Sequence, residues 1–227
     1  MKFVLAFIVA AVGWSADSNR LSDAERAAGW RLLFDGSTTN GWLEITGKPF
    51  PANCWTVEDG SLKALVRPDG FQDIRTQDTF TSFDLEFDWK MGGDGNSGVK
   101  YFIRKVDEWN NKAGRQARAR GLEYQLAGDA NPDAASDPRR MAGALYSLIA
   151  PNPHLPPRIG AFNHSRLVVN GHRVEHWLNG TKVVEFDAGS PEVQKILGGP
   201  LTETSPISLQ NHSSEAWFRN IKIRRLP

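Results

Sequence analysis

The sequence predicts an all-β protein folded as an antiparallel sandwich. Three observations carry this reading: short segments in which apolar and polar residues alternate, Asn-Gly and Asp-Gly dipeptides set between them, and almost no stretch with helical periodicity. Alternation puts one face of each strand on a core and the other on solvent or a ligand, and the turn dipeptides return the chain antiparallel to itself. A chain of 227 residues suits one undivided β domain.

The elements follow in order. Met1 to Ser15 carries Lys2, an apolar run from Phe3 to Val12, and the small residues Gly13 and Ser15. That is the pattern of a signal peptide over residues 1–15, so an exported protein, periplasmic or secreted, is expected to begin near Ala16. The run is too short to anchor the chain in a bilayer, and no later segment reaches the ~20 apolar residues a membrane helix needs. Residues 16–28 form a short helical segment: Ser22 with Glu25 three residues on is a capping box, and Gly29 ends the helix. Residues 29–227 form the sandwich. Trp30 to Phe34 reads as a strand, and another begins after Asn40-Gly41. Trp55 to Glu58 and Ser61 to Val66 flank Asp59-Gly60 as a hairpin.

In the middle of the chain Phe83, Leu85, Phe87 and Trp89 alternate with Asp84, Glu86, Asp88 and Lys90. After Gly92, Gly93 and Gly95, Val99, Tyr101 and Ile103 alternate with Lys100, Phe102 and Arg104. These two strands predict a hairpin arm. Lys105 to Arg120, basic and without apolar period, reads as a long loop. Gly121 to Leu126 returns to a strand, Gly128 to Arg140 is irregular, Leu145 to Ile149 is short and apolar, and the prolines of Pro151 to Gly160 exclude an interior strand. Asn170-Gly171 and Asn179-Gly180 then join three strands into a meander. Glu192 to Leu197 reads as a helical turn, and Ile207 to Gln210 and Trp217 to Arg225 close the chain as strands.

A net charge of +1 with both signs interspersed supplies no basic footprint for nucleic acid. Eight Trp, twelve Phe and three Tyr suit stacking on sugar rings as well as filling a core. Cys54 is the single cysteine, which excludes an intramolecular disulfide. His172 and His176 have helical metal spacing but sit in a strand, about 13 Å apart, and so cannot share one zinc ion. No phosphate loop, nucleophile elbow or dinucleotide fingerprint occurs; an oxygen-ligand divalent-cation site at Asp94 or Asp129 is carried as a candidate.

Two polar strand faces stand out. Leu122, Tyr124 and Leu126 take one face of their strand, leaving Glu123 and Gln125 about 7 Å apart on the other. Ser208, Gln210 and His212 likewise oppose Ile207, Leu209 and Asn211. Such groups bind sugar hydroxyls or act as a base with its orienting partner, or else they are an ordinary solvated face. Arg219 shares strand parity with Trp217, Ile221 and Ile223, so its guanidinium points into a cleft or is buried against a carboxylate.

At these residues the chain resembles the 3-keto-disaccharide hydrolase domain family, of concanavalin A-like fold. The resemblance is carried in order by Leu33-Phe34-Asp35-Gly36, Asn96-Ser97-Gly98-Val99-Lys100-Tyr101-Phe102, Glu123-Tyr124-Gln125, Gly143-Ala144-Leu145-Tyr146, Val174-Glu175-His176-Trp177-Leu178-Asn179-Gly180, Leu209-Gln210-Asn211-His212 and Phe218-Arg219-Asn220-Ile221. It departs from the family at Asn211 and Ser213, where Leu-Gln-Asp-His-Gly is common. The resemblance implies a jelly-roll β-sandwich and action on glycosides oxidised to a ketone at carbon 3. That ketone acidifies the hydrogen on carbon 2, so a base, an enolate stabiliser and a leaving-group acid suffice for cleavage by elimination and rehydration. Glu123, His212 and Lys100 are the expected catalytic groups. Asn96, Gln125, Gln210, Arg219, Asp88, Tyr146 and His176 are the expected substrate-binding ones. A non-catalytic carbohydrate-binding module, and a two-carboxylate glycosidase using Asp88 and Glu123, are the alternatives. The expected partner is a glycoside or oligosaccharide; the oligomeric state is left open.

Overall fold

The computed structural model describes residues 18–66, 72–111, 114–201 and 204–227. The expected leader, residues 1–15, lies outside them. Helix α1 (Asp23–Ala27) has the expected capping box, with Ser22 and Glu25 each accepting the other's backbone N–H. The strands follow as β1 (Arg31–Leu32), β2 (Trp42–Glu44), β3 (Trp55–Glu58), β4 (Ser61–Ala64), β5 (Ile74–Thr76), β6 (Phe83–Met91), β7 (Asn96–Asn111) and β8 (Gly114–Ala127). Helix α2 (Pro132–Ser136) and a 3-10 turn at Pro138–Arg140 precede β9 (Asn163–Asn170), β10 (Arg173–Leu178) and β11 (Thr181–Asp187). Helix α3 (Pro191–Leu197), β12 (Ser208–Leu209) and β13 (Ala216–Arg225) complete the chain. No helix among the described residues is long and apolar enough to cross a membrane.

The strands form two antiparallel sheets. One runs β11-β10-β9-β6-β13-β4-β3, with β1 added on β13; the other runs β2-β5-β12-β7-β8. Their facing sides make the core, as the alternation requires. Phe83, Leu85, Phe87 and Trp89 of β6, Leu167 and Val169 of β9, and Phe218 and Ile223 of β13 meet Val99 and Tyr101 of β7 and Leu122, Tyr124 and Leu126 of β8, all buried. Each such side chain contributes ~1.5–3 kcal/mol of burial, which is what a chain without a disulfide relies on. This is the expected all-β jelly-roll sandwich with a short N-terminal helix.

Hydrogen bonds also cross the core. Trp89 Nε1 donates to Ser165 Oγ at 2.8 Å, and Tyr124 Oη lies 3.0 Å from the same oxygen. Tyr101 Oη lies 2.7 Å from His176 Nε2, whose Nδ1 is 2.9 Å from the Gly143 carbonyl. The carbonyl can only accept, so Nδ1 carries the hydrogen and Nε2 accepts from the tyrosine. His176, expected at the substrate, is therefore an interior residue. Burial drives its pKa down to about 4, so it is neutral in the native protein.

Three expectations are corrected here. β6 and β7 are not a hairpin: β6 pairs with β9 and β13 in one sheet, β7 with β8 and β12 in the other. The glycine-rich link carries the chain across the end of the sandwich. Lys105 to Arg120 is not a loop but the outer half of β7 and β8, paired from Lys105↔Arg120 to Asn111↔Gly114. A bulge with Phe102 at φ 49° reverses side-chain parity there, turning Phe102 inward to the main core and sending Ile103 to a small outer cluster with Ile45, Ala117 and Ala119. In β13 a second bulge, with Asn220 at φ 51°, breaks the parity that linked Arg219 to Ile221 and Ile223. Those isoleucines are buried, whereas Arg219 and Trp217 face outward.

Arg219 and Asp88 consequently sit together on the outer face of the larger sheet. The Arg219 guanidinium stacks 3.7 Å from the Phe162 ring centre, with Nε 3.9 Å from Asp88 Oδ2. Asp88 Oδ1 is 2.9 Å from His164 Nδ1, and its Oδ2 accepts from Asn220 Nδ2 at 2.6 Å. Both belong to a structural polar cluster on the sheet opposite the one that carries Glu123. The proposed opposition of Asp88 and Glu123 across one cleft is thereby removed.

Candidate active site

The outer face of the five-stranded sheet carries a cavity of about 420 Å³, lined among others by Asn96, Lys100, Arg118, Glu123, Tyr146, Gln210 and His212. Strand register explains the grouping. Lys100 on β7 pairs laterally with Glu123 on β8 and with Ser208 on β12, so three polar residues share one rung. On the next rung Gly98 pairs with Gln125, and its carbonyl accepts the Gln210 N–H at 2.9 Å. Neighbouring Cβ atoms on such a face are ~5 Å apart, within reach of one sugar ring.

Tyr146 arrives by an unforeseen route. Residues 143–146 run along the free edge of β8: Gly143 N–H donates to Gln125 O, Gln125 N–H to Ala144 O, and Tyr146 N–H to Glu123 O, at 2.9, 3.1 and 3.0 Å. The short apolar stretch expected at Leu145 to Ile149 begins in this edge segment and then turns back on itself, Leu145 and Ile149 exchanging backbone hydrogen bonds of 3.0 Å. From α3, Ile196 adds an apolar wall. Gln125 is buried in the floor, its Nε2 donating to Asn96 Oδ1 at 3.3 Å and its Oε1 without a hydrogen-bond partner among the described residues. Gln210 Oε1 and Ser208 Oγ are buried in the same condition. Floor acceptors left unsatisfied by the protein are what a bound hydroxyl or water would occupy.

Lys100 is the centre of the charge pattern. Its Nζ donates to Ala119 O at 3.2 Å and lies 3.6 Å from Glu123 Oε2 and 3.9 Å from Asp73 Oδ2. Asp73 is fully buried just before β5, with Oδ1 accepting the Asn211 N–H at 3.0 Å. Burial raises the Glu123 carboxyl above the ordinary range, and the negative charge of Asp73 adds to this, while Lys100 and Arg118 oppose it. Burial likewise raises Asp73. His212, at the mouth and more exposed, is held below its usual value by partial burial and by the nearby Arg118 and Lys100 cations. The result is a base of raised proton affinity beside an ammonium, with a neutral imidazole at the entrance.

The structure thus brings together Asn96, Lys100, Glu123, Tyr146, Gln210 and His212, with Gln125 beneath them, and keeps Arg219, Asp88 and His176 elsewhere. Two site residues escaped the sequence reading. Asp73 follows a turn-like stretch and shows no alternation of its own; Arg118 lies in the basic stretch whose lack of apolar period predicts a loop. The departure at Asn211 is structural: its Nδ2 donates to Cys54 O and Leu65 O, away from the cavity. Asp129 faces His154 at 3.6 Å, and no group of three or more His, Cys, Asp or Glu side chains gathers as a metal site among the described residues.

Comparison with known proteins returns the same theme. Residues 29–224 match the family described as 3-keto-alpha-glucoside-1,2-lyase-like domain. A 3-keto-disaccharide hydrolase of Bacteroides thetaiotaomicron is 29% identical across 93% of this chain and 83% of its own. A candidate glycosyl hydrolase from Parabacteroides distasonis, solved at 1.70 Å, superposes with a TM-score of 0.77 at 27% identity, covering 92% of this chain and 100% of that one. A second from the same organism superposes at 0.65 with 25% identity, over 87% and 99% of the two chains.

Proposed function

We propose, from the premise that this chain belongs to the 3-keto-alpha-glucoside-1,2-lyase-like family, that it is a carbohydrate-active enzyme that cleaves glycosides carrying a ketone at carbon 3. The observation that carries the reading is Glu123, a carboxyl of raised pKa, set 3.6 Å from the Lys100 ammonium on the wall of a sugar-sized cavity.

The ketone makes the carbon-2 hydrogen acidic. Glu123 removes that proton, and the electron pair passes to the ketone oxygen as an enolate, which Lys100 and Arg118 stabilise as cations in a poorly hydrated site. The enolate then expels the glycosidic oxygen from carbon 1, which departs with a proton. Water adds to carbon 1 of the enone while a proton returns to carbon 2, so the sum is hydrolysis. His212, neutral at the mouth, handles the proton of the leaving group or the entering water. Asn96, Gln125, Gln210 and Tyr146 orient hydroxyls.

A conventional glycosidase needs two carboxylates facing each other across the sugar. The second carboxylate near Glu123 is Asp73, which is wholly buried, with one oxygen committed to the Asn211 N–H, and so does not face a sugar in the cavity. This favours elimination. The test is turnover of a 3-keto glucoside against its unoxidised parent, with and without chelator to read any divalent-cation requirement. Cleavage of the keto sugar alone, lost by at least about a hundredfold in Glu123→Gln with binding retained, is the expected outcome. Equal cleavage of the parent, or binding of both without turnover, would overturn it.

Export is part of the proposal: the leader pattern of residues 1–15 predicts a mature N-terminus near Ala16. N-terminal sequencing of envelope-derived protein checks it, and an intact Met1 would contradict it.

A further inference from the structure

The Lys100 ammonium makes no close contact with either carboxylate beside it. It lies 3.6 Å from Glu123 Oε2 and 3.9 Å from Asp73 Oδ2, and its one short bond is to the Ala119 carbonyl. Glu123 and Asp73 differ in their surroundings: one opens to the cavity with 11% of its side chain exposed, the other is at 0%. Asp73 Oδ2 accepts no hydrogen bond from the described residues, although it is buried. A carboxylate so placed is costly unless a cation answers it, and Lys100 is the nearest one.

We propose that Asp73 is a positioning residue of the site, drawing Lys100 back from Glu123 so that the ammonium is shared between the two carboxylates instead of closing on the one that faces substrate. This rests on the reading of Glu123 as the base. An ammonium locked onto Glu123 would hold it ionised and blunt it as a proton acceptor. A shared one leaves Glu123 basic and leaves Lys100 free to turn a donor toward the substrate oxygen. When Glu123 takes up a proton its charge is lost, and Asp73 is then what keeps Lys100 in place for the enolate. The other charged groups that act on the pair are Arg118 from β8 and Glu44 from β2, with His212 beyond β12 on the cavity side.

The test needs no substrate. In protein carrying carbon-13 at Glu Cδ and Asp Cγ, the Glu123 resonance is identified by its absence in Glu123→Gln and then titrated in the unsubstituted chain and in Asp73→Asn. The asparagine keeps an oxygen to accept the Asn211 N–H, so the fold should survive, and far-UV circular dichroism checks that it does. Removing the buried charge and releasing Lys100 toward Glu123 both lower the carboxyl's proton affinity. Its midpoint should fall by about one pH unit, a tenfold change. An unchanged midpoint in a folded Asp73→Asn overturns the proposal.

If Asp73→Asn does not fold, the unsubstituted protein still decides. Asp73 and Glu123 should titrate as a coupled pair, each resonance showing two steps. Two independent one-step curves overturn the sharing. A protein that shows the coupling yet leaves 3-keto glucosides uncleaved would refute the proposed reaction and keep the positioning role, so the two claims fail separately.

Discussion

A Cβ built on Gly98 would lie 2.8 Å from Glu123 Cδ, so the floor of the cavity is bare because the carboxylate occupies the space above it. Gly98→Ala should therefore displace Glu123 and lower turnover by ten- to a hundredfold, while stability stays within about 1 kcal/mol because alanine suits extended backbone at least as well. Steady-state kinetics beside urea unfolding checks both halves. The cross-sheet histidine makes a pH prediction of a different kind. His176 falls from the ordinary 6.5 to about 4 on folding, so between these values the unfolded chain binds more protons than the native one. Stability is then complete above about pH 6.5 and is lost as pH falls toward 4, by about 3 kcal/mol over the window. His176→Phe should be less stable at pH 7, since Tyr101 loses its acceptor, but should lose correspondingly less between pH 7 and 4.5; equal losses in both proteins would count against the buried neutral imidazole.

At the scale of elements, Asn220 is where β13 changes parity and where the N-terminal segment is clasped. Its side-chain oxygen accepts the Asn19 N–H at 2.6 Å, and Asn19 returns the bond to the Asn220 N–H at 2.8 Å. Asn220→Ala removes the clasp and the bond to Asp88 and puts a Cβ without a compensating bond at φ 51°, so a loss of about 2–4 kcal/mol is expected in urea unfolding. Turnover should hardly change, because the clasp belongs to the sheet that lacks the cavity. The strands themselves were legible wherever one face is buried: the meander of β9 to β11 and the β3–β4 hairpin follow directly from alternation and turn dipeptides. Partner choice was not. β6 and β7 each alternate correctly, yet alternation states which face is buried and nothing about which strand lies alongside, so a crossover between sheets looked like a hairpin. The outer halves of β7 and β8 looked like a loop because their described apolar residues are few and small, Val106, Ala117 and Ala119 packing only in the small outer cluster.

For the whole molecule, the two sheets divide the work: one side of the five-stranded sheet and the inner face of the other make the core, and the remaining face of the smaller sheet gathers the polar groups of the site. Strand parity alone placed Glu123 with Gln125 and Gln210 with His212, and the register of β7 joined them at Lys100. Arg219 was misplaced because a single bulge residue reverses every side chain beyond it. Asp73 was missed because its importance lies in being buried under Lys100, a relation between strands distant in sequence. The central claim is that Glu123 takes a proton from carbon 2 of a 3-keto sugar. It is tested most directly by incubating the protein with a 3-keto glucoside in deuterium oxide and following carbon 2 by proton NMR, in the unsubstituted chain and in Glu123→Gln. The account predicts that product and recovered substrate acquire deuterium at carbon 2 with the unsubstituted protein, at a rate at least about a hundredfold above that with Glu123→Gln. Cleavage that leaves the carbon-2 hydrogen unexchanged would contradict it.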